Sequence, residues 1–162
     1  MSSIQRPVVG VAGALVLCAL LSGCASSSDV SPGATVDDVL ARWGAPWATY
    51  QLPVGQRLLY RPQAGQVQSL DFDASGRLVA REQVLTRQKL EGTTVGQWRA
   101  AELQQTFGPP ARRAADGEKG SVWTYFFQEY GVHRLVRIHL DAAGVVVRTE
   151  FADDPAADQR YR

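Results

Sequence analysis

The chain has 162 residues, 45% of them hydrophobic and 20% charged, with a formal net charge of +1. That balance excludes the dense basic footprint that grips nucleic-acid phosphates, and it excludes strong electrostatic steering of a partner. The two cysteines, Cys18 and Cys24, both lie near the amino end, which excludes a disulfide framework or a cysteine zinc site in the folded body.

Arg6 precedes an uncharged apolar run from Val8 to Leu21 of about 14 residues, against the roughly 20 that a membrane-spanning helix needs. The run has the length and flank of a signal-peptide core. It ends in Leu21-Ser22-Gly23-Cys24, which resembles the lipobox of bacterial lipoproteins. An aliphatic residue and two small residues let a peptidase hold extended backbone closely, and the cysteine thiol is the nucleophile that accepts a diacylglyceryl group. The resemblance implies that residues 1–23 are removed with Cys18, and that Cys24 carries a covalent lipid as the new amino terminus. Two or more acyl chains give stable anchoring where one gives only marginal binding. Ala25 rather than Asp follows the cysteine, which by the enteric sorting rule implies the outer membrane. Residues 24–32 are then the lipidated Cys24 and a small, Ser-rich, flexible tether. Cys24 to Arg162 is about 139 residues, enough for one domain or two tightly joined small ones.

Beyond the tether the chain repeats itself. Gly44 and Pro46 recur as Gly108 and Pro110, an offset of 64, and the stretch from Leu70 through Asp73 and Gly76 to Leu78 recurs from Ile138 to Val146 at an offset of 68. The difference is a loop-sized insertion. In the first copy Thr35 and Asp38 stand at capping-box spacing. Val36, Val39, Leu40 and Trp43 form one apolar stripe at helical period. Gly44 suits a C′ residue, and Pro46 stops the helix. Strand-like runs follow at 58–60, 67–72 and 78–85. In the second copy Thr94 with Gln97 offers the capping box, and Ala100, Leu103 and Phe107 make a weaker stripe that ends at Gly108. Strands are expected at 122–128, 132–140 and 145–151. Asp73 to Gly76 and Asp141 to Gly144 read as tight hairpin turns, Asp capping the turn and Gly supplying positive φ. Short spacing between strands requires antiparallel pairing. The expected class is α+β: two tandem units, each a helix followed by a three-stranded antiparallel meander, with helices packed on one sheet face. The units are placed at 33–88 and 89–152, with a polar, frayed tail at 153–162.

The pattern Gly-x-Thr-x-x-x-Val, then Trp or Phe-Gly-x-Pro, an aromatic strand and Asp-x-x-Gly resembles the SmpA/OmlA/BamE-like family of small outer-membrane lipoproteins. Tyr60 to Gly65 and Gln83 to Thr86 are similar to members carrying the unit in tandem, and the layout also resembles the β-lactamase-inhibitor-like fold. The resemblance spans nearly all of the chain after the signal. It implies a periplasm-facing, outer-membrane-anchored lipoprotein that serves as an accessory or scaffold in envelope biogenesis, including assembly of outer-membrane β-barrels. The second copy departs from the pattern where Thr is usual near the helix start, and Trp98 stands there instead.

Catalytic chemistry is not expected. His133 and His139 share a strand face but stand roughly 20 Å apart, too far to share a metal ion, and read as solvent-face residues. Asp73 and Asp141 have turn-capping roles, Asp71 reads as a solvated strand residue, and Ser75 lacks a nearby histidine. No metal and no cofactor beyond the covalent lipid on Cys24 is called for, and no nucleic acid. The functional candidates are aromatic. Trp123, Tyr125 and Phe127 share one face of a strand, and Trp98 and Trp47 lie beside helix ends; they are read as partner-binding candidates or as core. The expected partners are a membrane, through the lipid, and an envelope protein. The alternative is an inhibitor-like or ligand-binding module that grips a soluble periplasmic protein or a wall component.

Overall fold

The computed structural model describes residues 30–117 and 120–158. The expected signal peptide, residues 24–29 of the expected lipidated tether and residues 159–162 of the expected tail lie outside them. Helix α1 (Val36–Trp43) precedes β1 (Ala48–Gln51), β2 (Gln56–Tyr60), β3 (Gln68–Phe72) and β4 (Leu78–Gln83). Helices α2 (Arg87–Glu91) and α3 (Ala100–Phe107) then precede β5 (Arg112–Asp116), β6 (Gly120–Glu129), β7 (Val132–Leu140) and β8 (Val146–Asp153), and a turn of helix, α4 (Pro155–Asp158), follows. The strands form two four-stranded antiparallel meanders, β1-β2-β3-β4 and β5-β6-β7-β8. The fold is α+β.

Each sheet therefore has one strand more than the three expected. The missing strands, β1 and β5, are the edges that follow the helices. β5 is Arg-Arg-Ala-Ala-Asp, exposed along its whole length, so it carries none of the apolar alternation that marks a half-buried strand. Its charges suit an edge, where a bare row of amides would invite another chain. At the carboxyl end Asp153 closes β8 and Asp154 is buried, where a frayed tail was expected. Val30, expected in the tether, is buried in the first core. Helix α2 spans the expected boundary between residues 88 and 89.

Local rules explain α1 well. Thr35 Oγ1 accepts the Asp38 N–H at 3.1 Å, and Asp38 Oδ2 accepts the Thr35 N–H at 2.9 Å. These reciprocal bonds satisfy amides that the first turn leaves without partners. Val39 is fully buried and Val36 and Trp43 half-buried, whereas Leu40, expected in the stripe, is 37% exposed. Helix α3 starts later than the Thr94–Gln97 box suggested. Gly96 has φ of 78° and donates to Val146 O, which holds the segment as a turn. The helix begins at Ala100, where Glu102 Oε2 reaches back to the Arg99 N–H at 2.7 Å.

The turns are as the sequence predicts. Asp73 Oδ1 accepts the N–H groups of Ser75 and Arg77, and Asp141 Oδ1 accepts those of Ala143 and Val145. Both hairpins also dock onto the helix in front of them: Ala34 O accepts from Leu78 N–H, and Trp98 O accepts from Val146 N–H. The register slips at matching places, between Asp71 and Phe72 and between His139 and Leu140.

Packing joins the two halves through α3. Successive residues of β2 point to opposite faces. Leu58 and Tyr60 meet Val39, Leu70, Phe72 and Leu78 beneath α1, while Leu59 joins a separate and larger core. That larger core holds Leu103 and Phe107 of α3, Trp123 and Tyr125 of β6, and Ile138 of β7. Helix α3 is thus covered on both sides, and the layers run α1, first sheet, α3, second sheet. A half-buried ion pair ties the middle layers. Arg57 on β2 meets Asp71 on β3 with two hydrogen bonds of 2.6 and 2.7 Å, and a third guanidinium nitrogen donates to Gln105 O of α3 at 3.2 Å. Gln105 in turn donates to Gln51 O at 3.1 Å. Asp71, expected to be solvated, is a partner in this bridge. Burial by itself would raise its carboxyl, but the Arg57 bonds and charge, with the Ser69 hydroxyl, outweigh burial and hold it below the usual carboxylate range.

Two outcomes follow. Asp71→Asn should destabilise by about 2 kcal/mol, because Arg57 loses its counter-charge inside the interface. Since the Asp71 pKa is depressed on folding, its stabilisation is present above the unfolded carboxylate value near 4 and is lost as pH falls through the folded value. Urea melts should therefore show the wild type losing more stability than the variant between about pH 4 and pH 2. Gly108 has φ of 81°, and a Cβ there would lie 2.1 Å from the Trp47 ring; Gly76, with φ of 73°, faces open space. Gly76→Ala should cost about 1–2 kcal/mol for its backbone alone. Gly108→Ala should cost clearly more and shift the tryptophan emission.

Candidate functional site: a cleft beside the joined sheets

Buried aromatics account for most of the expected site residues. Trp123, Tyr125 and Phe127 are 6%, 2% and 0% exposed and sit in the core that α3 shares. Their common face, read from sequence as core or partner surface, is interior. Tyr125 OH donates to Gly108 O at 3.1 Å and its ring meets Phe107 edge-on. The first half contains the same clasp: Tyr60 OH donates to Gly44 O at 2.9 Å and its ring meets Trp43 edge-on. Each tyrosine ties the carboxyl end of a helix to the sheet behind it. Burial pushes the Tyr125 phenol well above its ordinary range, which keeps it a neutral donor at physiological pH. Trp98 stacks on Phe107 and is half-buried. Its place near the start of α3, singled out from sequence, makes it a lid on the core.

His139 differs from the expectation of a solvent-face residue. It is 6% exposed. One ring nitrogen lies 2.5 Å from Asp116 Oδ2 and the other 3.4 Å from Glu150 Oε2, with the Arg148 guanidinium alongside the ring. Arg148 pairs with Glu150 at 2.6 Å. This network links β5, β7 and β8 across the outer face of the second sheet. Both ring nitrogens face carboxylates, Asp116 on one side and Glu150 on the other. Among the described residues no group of three or more His, Cys, Asp or Glu side chains is arranged to hold a metal. Ser75 donates to Asp73 Oδ1 at 2.7 Å within its turn.

Of the aromatic candidates, Trp47 and Tyr125 border an opening. A cleft of about 540 Å³ runs between the 61–67 loop and the entrance to β5, and Trp47, Phe107, Pro109, Pro110, Tyr125 and Phe126 supply its apolar wall. Its rim carries Arg61, whose guanidinium lies 4.9 Å over the Trp47 ring, and Arg112, 5.3 Å over Phe126. The size is ordinary for a ligand site, and apolar walls with a few charged groups are the usual composition. His133, the other histidine, is half-buried in this wall, and its carbonyl accepts the Asp154 N–H. Sequence reading missed Arg61 and Arg112, because nothing in their spacing shows that residues 51 positions apart share a rim.

Comparison with known proteins adds little to this geometry. No family model matches the chain, and no curated protein does. Two solved structures show weak likeness. One is a DUF4309 family protein (YjgB) from Bacillus subtilis, 16% identical with a TM-score of 0.32, matched over 75% of this chain and 79% of that one. The other is an extracellular protein containing a SCP domain from Bacillus anthracis, 15% identical with a TM-score of 0.32, matched over 93% of this chain and 50% of that one. This chain therefore spans half the length of the second protein, and neither carries weight for the reading below.

Because Trp123 is core, Trp123→Ala should lower stability by about 3–5 kcal/mol in chemical melts. Tyr125→Phe should cost about 1–2 kcal/mol, because the Gly108 carbonyl is left unpaired in the interior. A Trp123→Ala protein that melts like the wild type but loses a partner would show instead that this face opens to solvent.

Proposed function

We propose that this chain is a lipid-anchored, non-enzymatic accessory protein of the bacterial envelope. The observation that carries the reading is the Leu21-Ser22-Gly23-Cys24 motif at the end of an apolar run too short to span a bilayer. The tether from Cys24 to the buried Val30 is only a few residues long, so the folded body is held close to the surface that carries the lipid. Among the described residues no helix is long and apolar enough to cross a membrane, and the acyl chains would supply the attachment. Two tandem units, each a helix and a meander, form the body of the proposed module. The resemblance to SmpA/OmlA/BamE-like lipoproteins supports the outer membrane as the address and a protein partner in envelope biogenesis, with β-barrel assembly as the process.

A second reading, a module that grips a ligand or soluble protein, is favoured by one feature: the cleft rimmed by Arg61 and Arg112.

Metabolic labelling with an alkyne fatty acid tests the anchor. Wild-type protein should carry the label and sediment with outer membranes, and Cys24→Ala should lose the label and leave that fraction. An unlabelled wild type refutes the lipoprotein reading. Crosslinked co-purification then tests the partner: recovery of barrel-assembly proteins supports the accessory reading, and their absence from a labelled, membrane-bound sample refutes it.

A further inference from the structure

Arg61 and Gln66 wall two clefts rather than one. Beside the cleft at Trp47 lies a second of about 510 Å³, lined by Trp43, Tyr60, Pro62, Gln63, Gln68 and Arg81. The two share Arg61 and Gln66 in their walls, the second on the α1 side of the first sheet and the first on its α3 side, and together make a groove over the end of that sheet. An arginine lies over an aromatic ring at three places along it: Arg81 over Trp43 at 4.9 Å, Arg61 over Trp47 at 4.9 Å, and Arg112 over Phe126 at 5.3 Å. Arg81 also donates to Gln68. Arg61 and Arg112 form no ion pair with any described residue. Asp154 is the one carboxylate in the groove wall among the described residues, and it is buried with Oδ1 accepting the Ala156 N–H.

Such a groove combines positive charge, flat apolar surface and amide side chains. Each matches one part of an extended polypeptide: guanidinium groups bind carboxylates with charge-assisted hydrogen bonds, rings and prolines bury apolar side chains, and the glutamines can donate to and accept from backbone amides. Two clefts that share Arg61 favour a segment with spaced groups over a compact small molecule, and complementarity of charge favours an acidic one. We propose that this groove binds an extended acidic peptide segment in which carboxylates flank an apolar side chain, with Arg61 and Arg112 as the principal anion contacts. The inference deepens the accessory-protein reading by giving the partner's chemistry, and it rests on that reading for its biological setting.

The test needs no membrane, so it fails or succeeds apart from lipid labelling. Purified full-length protein is used to select from a random peptide library of about twelve residues, long enough for an extended ligand. The most enriched peptide is then measured by fluorescence anisotropy. The expected result is enrichment of sequences with two or more Asp or Glu around an aromatic or aliphatic residue. Affinity should weaken as salt rises from about 50 to 200 mM. Arg61→Gln and Arg112→Gln should each weaken binding about tenfold and together abolish it, while Arg137→Gln, an exposed arginine on β7, should leave it unchanged. Both groove arginines are exposed, so the melting temperature should hold and a folding defect is separable from a binding one. Enriched peptides without acidic residues overturn the proposal, as does unchanged affinity in the folded double variant. Displacement of an anionic glycan but of no peptide would assign the groove to another class of ligand and also overturn it.

Discussion

The structure depends on covering α3 from both sides. An eight-residue helix is too short to be stable alone in water, and its stability comes from packing. Leu103 and Phe107 meet the second sheet, while the backbone and side chain of Gln105 are held by Arg57 and Gln51 of the first. This contact joins Leu59 on β2 to Trp123 and Ile138 in one core. A helix laid on a single sheet would have left the other face of the first sheet wet. Leu58, Leu59 and Tyr60 are all buried, which is possible only for a strand covered on both faces.

Around that joint each half uses the same set of fasteners. A tyrosine hydroxyl caps the end of a helix at Gly44 or Gly108, an aromatic ring at the last helical position meets the tyrosine ring, and an Asp-capped hairpin bonds back to the helix start. The halves differ where they contact one another. The carboxyl end of α3 receives Trp47 against Gly108 and Trp98 on Phe107, whereas Trp43 at the end of α1 is covered by Arg81. The inward half of the repeat became core, and the outward half kept an aromatic beneath an arginine.

That asymmetry shapes the surface available for function. The aromatic face of β6 is consumed by the joint. At its margin Trp43, Trp47 and Phe126 lie under arginines. The His139 network on the outer face of the second sheet is closed on itself by Asp116, Glu150 and Arg148, and it serves to hold an edge strand that has little apolar surface of its own.

Sequence by itself determined whatever is settled within a few residues. The Thr35–Asp38 cap, the glycine helix ends, the two Asp-capped hairpins and the inner strands of both meanders were legible, because each rests on local hydrogen bonding or on a short hydrophobic period. Tertiary structure decided what depends on partners far along the chain: that β1 and β5 are strands, that Trp123, Tyr125 and Phe127 face inward, that Asp71 pairs through Arg57 with α3, and that Arg61 and Arg112 share a rim. A strand with one polar face and a strand sealed on both sides can carry the same alternation. Only the layer that comes to rest against it fixes which of its side chains meets water.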